Sequence, residues 1–246
     1  MNFKDIFKKK PTFKFKSYIG NFAVATPVMN ASRIKPKWLR KQIGSQKFHD
    51  CPGMLDYSHA GYIITAHTDI HIKANSAGTM IVVEGTAVPA DQAHRLNPTK
   101  FNYEVVDGML NTPDVEKSAW KIPLPWSIIA EEGYSAYVMP ALMHADYLDK
   151  IFVYPGIVDY DKFHTVNFIF SPLKECEFTI PAGAPLLQVL PLKREIVTAE
   201  CDKATIKEID EHMFNMPSRI KRYYRKFLSS KKTFIMKCPY DHRGDK

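Results

Sequence analysis

Gly133-Tyr-Ser-Ala-Tyr-Val-Met-Pro140, Ile151-Phe-Val-Tyr154, His164-Thr-Val-Asn-Phe-Ile-Phe170, Glu177-Phe-Thr-Ile180 and Pro185-Leu-Leu-Gln-Val-Leu-Pro-Leu192 follow one another in close succession. Each apolar run is short and bounded by Gly, Pro or Asp. That spacing specifies a mainly β domain, a barrel or sandwich, over any βαβ arrangement. Upstream, Gly61-Tyr-Ile-Ile-Thr-Ala-His-Thr-Asp-Ile-His-Ile72 is strongly β-branched and reads as a strand pair or one long bent strand. Residues 79–84 read as another strand, a short one is expected near 101–106, and Phe13-Lys-Phe-Lys16 alternates as an edge strand does. The Pro-rich entry Trp120-Lys-Ile-Pro-Leu-Pro-Trp126 leads into a further apolar run at 127–130.

Outside this block the character changes. Pro36-Lys-Trp-Leu-Arg-Lys-Gln-Ile43 suits a short helix, and Cys51-Pro-Gly-Met opens a turn. Residues 205–214 and 218–228 have helical composition, with Ser218 as N-cap and Ile220, Tyr223, Tyr224 and Phe227 as the apolar set. We therefore divide the chain into a basic N-terminal arm with a short helix (1–50), a β domain (51–195) and a basic helical tail (196–246).

Charge follows the same division. Residues 1–50 hold twelve Lys and Arg against two Asp, a net of +10, and residues 215–246 hold ten against two, a net of +8. The middle, 51–214, holds twelve basic and twenty-two acidic residues, a net of −10. Two basic ends flank an acidic body. Lys8, Lys9, Lys10, Arg222, Arg225 and Lys226, interleaved with aromatics, suit contact with nucleic acid, or with an acidic neighbour such as an adjacent subunit or a virion protein.

The 246-residue chain has 45% hydrophobic and 24% charged residues, ordinary for a globular protein. A basic start with no apolar stretch behind it is no secretory signal, and no run of about 18 apolar residues is present to span a bilayer. The expectation is a cytoplasmic or virion protein with no membrane partner. Cys51, Cys176, Cys201 and Cys238 are scattered without metal spacing and read as reduced thiols.

The order of Gly133-Tyr…Pro140, Gly156-Ile-Val-Asp159-Tyr-Asp-Lys-Phe163 and Gly183-Ala-Pro-Leu-Leu-Gln188-Val resembles the dUTPase and dCTP deaminase superfamily. Ala66-His-Thr-Asp69-Ile70 is similar to that family's first motif. The resemblance implies a β-clip fold, usually a homotrimer with sites between subunits. It puts Asp159 and Asp69 forward as catalytic candidates, and Phe163, Lys162 and Gln188 as nucleotide-binding candidates. The chain also resembles an uncharacterised family of marine bacteriophages that shares Cys51-Pro-Gly-Met54, Pro125-Trp126, Gly156-Ile-Val-Asp159 and the run ending Lys193-Arg-Glu195. That family implies no activity.

The departures concern chemistry. Where dUTPases place Arg-Ser-Gly on the phosphates, this chain has Ala141-Leu142-Met143, which donates no side-chain hydrogen bond. The base-stacking Tyr corresponds to Lys162, the motif-four Arg to Pro185, and the deaminase general acid/base to Ile169, an aliphatic residue. Gly156, Asp159, Gly183 and Gln188 shape turns and strands.

A second constellation is His67, Asp69 and His71. On one strand these alternate residues share a face and, with His144 or His164, could hold a divalent metal as in Fe/2-oxoglutarate-type oxygenases. The alternative there is a polar face opposite Ile70 and Ile72. The leading expectation is a phage-type, dUTPase-like β-clip protein without the usual hydrolase residues, acting as a binding or assembly module. A divergent deoxynucleotide hydrolase and a metal-dependent oxygenase are the competing readings.

Overall fold

The computed structural model describes residues 11–17, 28–34, 52–84, 96–101 and 115–209. Among them it is mainly β, with antiparallel pairing throughout. Thirteen strands run in order: β1 (Lys14–Ser17), β2 (Met29–Asn30), β3 (Tyr62–Thr65), β4 (Ile70–Asn75), β5 (Gly78–Val83), β6 (Thr99–Phe101), β7 (Ala119–Ile129), β8 (Tyr134–Pro140), β9 (Ile151–Val153), β10 (Gly156–Val158), β11 (Thr165–Pro172), β12 (Cys176–Ile180) and β13 (Pro185–Lys193). Two short α-helices accompany them, α1 (Pro52–His59) and α2 (Ile206–Ile209).

The strands form three sheets. The first runs β1-β7-β11-β9, with β6 also on β7; the second runs β10-β8-β13-β3-β2; the third runs β12-β4-β5. Period-two alternation assigns the faces. Ile122, Leu124, Trp126 and Ile128 of β7 and Val166, Phe168 and Phe170 of β11 are buried together with Ala136, Val138, Leu187 and Val189 of the second sheet and Ile70, Ile72 and Ile180 of the third. All three sheets thus contribute to one core. Removing a large aliphatic or aromatic side chain of this kind from water contributes about 1.5–3 kcal/mol.

β7 reaches eleven residues despite Pro123 and Pro125. On one edge β6 pairs residues 119–121 and β1 pairs 126–129, so both prolines fall in the gap between those partners. A missing N–H forgoes no ladder bond on that edge. What reads in sequence as a Pro-rich lead-in is the first half of a single strand. The strand expected near 101–106 starts two residues earlier, as β6, and residues 102–106 lie outside the described residues.

The outer face of the second sheet carries a smaller cluster, Ala31, Ile63 and Ala141. Met139, Gln188 and Ile63 stand opposite one another across β8, β13 and β3, so they share that face. Helix α1 is tied to it: the Tyr57 hydroxyl reaches Met139 Sδ at 3.1 Å, and Gln188 Nε2 donates to the carbonyls of Tyr57 and Ala60, each at 2.8 Å. This helix occupies the stretch read from sequence as a turn. The chain turns from α1 into β3 at Gly61, whose φ of +68 favours glycine. A Cβ there would lie 2.1 Å from the Val189 carbonyl oxygen.

β1 and β2 come from the region read as a basic arm, and each adds to a sheet. The short helix expected at 36–43 and that at 218–228 lie outside the described residues. Of the helix expected at 205–214, the described part is α2. No described helix is long and apolar enough to cross a membrane.

Candidate functional site

Among the described residues, a cluster of three charged side chains sits where β10 ends. β10 pairs with β8 through Gly156↔Val138, Ile157↔Tyr137 and Val158↔Ala136 and, among the described residues, is otherwise an edge strand. After Val158 the chain closes a tight turn, in which the amides of Lys162 and Phe163 both donate to the Asp159 carbonyl at 2.9 Å. This turn buries Tyr160 and presents Asp159 and Asp161 to the start of β8 and the end of β13.

Arg194, immediately after β13, closes the cluster. Its Nη1 donates to Asp161 Oδ1 at 3.0 Å, to Ser135 Oγ at 3.0 Å and to the Tyr134 carbonyl at 3.3 Å, and lies 3.1 Å from Asp159 Oδ1. Its Nη2 pairs with Asp161 Oδ2, making a two-pronged guanidinium–carboxylate contact. The Arg194 amide donates to the Gly133 carbonyl at 2.8 Å, and the Gly133 amide donates to Asp161 Oδ2 at 3.1 Å. Ser135 Oγ donates to Asp159 Oδ1 at 2.6 Å.

The Asp161 side chain is only 4% exposed, and the bond from Arg194, helped by the Gly133 amide, holds its carboxyl down to about 2. Asp159 is also held below the ordinary carboxylate range, first by the Ser135 hydroxyl and then by Arg194. Two carboxylates against one guanidinium leave the cluster with a net charge of −1. Each charged group is engaged by the others.

The other expected site residues are dispersed. Asp69 stands between β3 and β4; its Oδ1 accepts from the Ala182 amide at 2.7 Å and its carbonyl from the Glu84 amide at 3.0 Å. It therefore fastens the β12–β13 turn to the third sheet and shares no bonding partner with Asp159. Lys162 and Phe163 follow Asp159 in the same turn, both exposed, whereas Gln188 is wholly buried beneath α1.

The backbone at three of the positions compared with the similar enzymes is engaged within the chain. Ala141 is buried, and the amides of Ala141, Leu142 and His144 bond to the carbonyls of Leu186, Pro140 and Ala141. Neither those side chains nor those amides are available to a phosphate. The Pro185 carbonyl accepts from the Tyr147 hydroxyl at 2.7 Å, and the Ile169 carbonyl accepts from the Tyr154 amide.

His67 and Thr68 lie in a bend between β3 and β4, so the alternation that would put His67, Asp69 and His71 on one face is interrupted. His67 is buried, and burial lowers its imidazole to about 4. His71 points outward from β4, with Nδ1 2.7 Å from Thr179 Oγ1 and Nε2 2.8 Å from Glu84 Oε1. His144 contacts the Ser58 carbonyl at 3.0 Å, and His164 Nδ1 the Ile128 carbonyl at 3.0 Å. Among the described residues no three His, Cys, Asp or Glu are grouped to hold a metal ion. Cys176 and Cys201 are free thiols. Lys8, Lys9, Lys10, Arg222, Arg225, Lys226, Cys51 and Cys238 lie outside the described residues.

Sequence reasoning assigned no role to Ser135, Asp161 or Arg194. Their only local signal is the Lys193-Arg-Glu195 run, and Arg194 meets its partners across 33 to 60 residues of chain. No protein-family model matches the chain, and no curated protein matches it.

Proposed function

We propose that this protein is a dUTPase-like β-clip scaffold of phage type that acts as a binding or assembly module and does not hydrolyse nucleotides. The observation that carries the reading is the engagement of Asp159. The residue that corresponds to the water-positioning carboxylate of the similar enzymes spends Oδ1 on Ser135 and Arg194. General-base work needs a carboxylate within hydrogen-bond reach of a substrate water and proton affinity near the working pH. Here the same contacts that fix the carboxylate lower that affinity.

Electrostatics supports the same conclusion. A transferring phosphoryl group needs donors aimed at its developing charge. Arg194, the guanidinium that contacts Asp159, faces two carboxylates, and the amides of Ala141, Leu142 and His144 are bonded to backbone carbonyls. At this turn Asp159 and Asp161 are balanced by Arg194 and the exposed Lys162, so no surplus positive charge is held ready for a triphosphate.

The test is pyrophosphate release from each deoxynucleoside triphosphate, with and without divalent metal, comparing the intact chain with Asp159→Asn. The expected result is no turnover by either. Turnover by the intact chain that disappears in Asp159→Asn overturns the proposal.

A further inference from the structure

The first sheet turns one face to the core and the other away from it. Phe15, Ile122, Ile128, Phe168, Phe170 and Val153 belong to the core. Alternation along the strands therefore turns Lys14 and Lys16 of β1, Lys121 of β7, Asn167 of β11 and Phe152 of β9 outward. Tyr154 joins them. Its amide donates to the Ile169 carbonyl at 2.9 Å, which carries the β9–β11 ladder one residue further.

The charge on this face has one sign. The five strands of the sheet contain Lys14, Lys16, Lys100 and Lys121 and no Asp or Glu. Lys100 stands opposite Trp120, on the other face, and pairs with Glu116. Lys14 and Lys16 are exposed and form no ion pair with a described residue. Glu131, beyond the end of β7, is the carboxylate at the rim, and its Oε1 accepts from the Thr12 amide at 3.3 Å. Three lysines thus face outward from strands that offer them no carboxylate.

Aromatic rings complete the face at its β9 edge. Phe152 and Tyr154 are half-buried and meet edge to face, with centroids 5.0 Å apart and planes at 87°. The Tyr154 hydroxyl lies 3.0 Å from Ser171 Oγ, which fixes that ring in place. Lys121, Ile169 and Tyr154 share one row across β7, β11 and β9. Lys121 and Tyr154 are therefore two strand spacings apart, roughly 10 Å. Lys16 lies in the row of Ser127 and Thr165, four residues along β11 from Ile169, or about 13 Å.

We propose that this face of the first sheet binds single-stranded nucleic acid, with Lys14, Lys16 and Lys121 on phosphates and Phe152 and Tyr154 stacking against bases. The proposal goes beyond the reading above, which names no ligand, and it stands on the sheet face alone. Separated lysines match the repeating charge of a phosphate backbone, and fixed rings offer bases a surface to stack on. A duplex satisfies only the first of these, because its bases are already stacked on one another. The distances suit a short stretch, near the lower end of the roughly 4–16 nucleotides that single-strand sites take. The lysines and arginines that the sequence alone suggests for nucleic acid are different residues, at 8–10 and 222–226.

The test uses the full chain with labelled oligo(dT) and oligo(rU), read by fluorescence anisotropy across a salt series. At least one of the two should bind, with an affinity that falls as salt rises. Lys14→Glu/Lys16→Glu should reduce the slope of log affinity against log salt by about 1.4, at roughly 0.7 for each lost phosphate contact. Phe152→Leu keeps an apolar side chain without a ring and should weaken binding about tenfold at unchanged slope. Each readout is a difference from wild type, so binding by the basic ends of the chain cancels. The two lysines are exposed, so their substitution should leave circular dichroism unchanged and decides the question even where Phe152→Leu does not fold. An affinity that neither variant moves overturns the proposal. Equal affinity for a duplex of the same length, or equal displacement by poly-glutamate, reveals a general attraction for polyanions and overturns it too. Sedimentation in which the same substitutions split an oligomer identifies the face as a contact between copies, and also overturns it.

Discussion

Replacing Gln188 with Leu separates a ligand-facing role from a structural one. Gln188 is fully buried, and its Nε2 is shared by the Tyr57 and Ala60 carbonyls at the end of α1. Leu has nearly the same volume but no donor, so two carbonyls lose their partner. A buried acceptor left unpaired costs about 1–3 kcal/mol. One offset applies: Gln188 Oε1 is itself buried without a hydrogen-bond partner, and Leu removes that cost. The net expectation is a loss of about 2 kcal/mol, or roughly 4–8 °C in melting temperature for a chain of this size. Urea titration followed by circular dichroism should show a lower midpoint with an unchanged slope, since the surface exposed on unfolding is the same. Gln188→Glu adds a test of sign. The new carboxyl would face two carbonyls, and only its protonated form can donate to them, so its folded pKa rises above the ordinary value of about 4.3. The variant should approach wild-type stability below that pH and fall away from it as pH rises through the raised value. A midpoint unchanged in Gln188→Leu, or a pH-independent deficit in Gln188→Glu, refutes the structural role.

Two further predictions concern the backbone and the charge cluster. Gly61→Ala and Gly133→Ala both place a Cβ at positive φ, which costs about 1–2 kcal/mol. Only at Gly61 does that Cβ meet backbone, so Gly61→Ala should be the more destabilising in parallel urea melts; equal losses sink the packing argument. Arg194→Met should destabilise the protein at neutral pH. Because the folded pKa of Asp161 lies near 2, below the unfolded value of about 3.9, the stability it lends is complete above pH 4 and is lost as pH falls toward 2. Variant and wild type should therefore converge in acid, and a constant difference down to pH 2 counts against the Arg194–Asp161 pairing.

The strands were legible because alternation and Pro/Gly punctuation are local signals. β3, β4, β5, β8, β9, β11, β12 and β13 lie where apolar runs are bounded by turn residues. α1 was not legible, since Pro52-Gly53 is a turn signature and nothing in eight residues announces a helix. Proline is tolerated in a first helical turn, and this helix is completed by partners far along the chain, Gln188 on Tyr57 and Ala60 and His144 on Ser58. β10 was read as a turn for a related reason: three residues gain strand geometry only from pairing with β8. The same limit applies to the site. Asp159 was identifiable from Gly156-Ile-Val-Asp159, but the residues that occupy it, Ser135 and Arg194, are 24 and 35 positions away. Sequence order indicates which carboxylate to examine, and only the fold shows what it is bound to.

The retained residues and the missing ones have a common explanation. Asp159, Asp69 and Gln188 each direct polar atoms at this chain's own backbone or side chains: Ser135 and Arg194, the Ala182 amide, and the carbonyls closing α1. On the dUTPase-like reading proposed above, a scaffold without phosphate donors does not need those residues for chemistry but still needs its turns fixed. The Arg194 guanidinium is bound by Asp161 and Asp159 and is not held ready for a phosphate. Arg194→Met is therefore expected to weaken the acid-sensitive stability of the fold, a property that a nucleotide site would not require of this arginine.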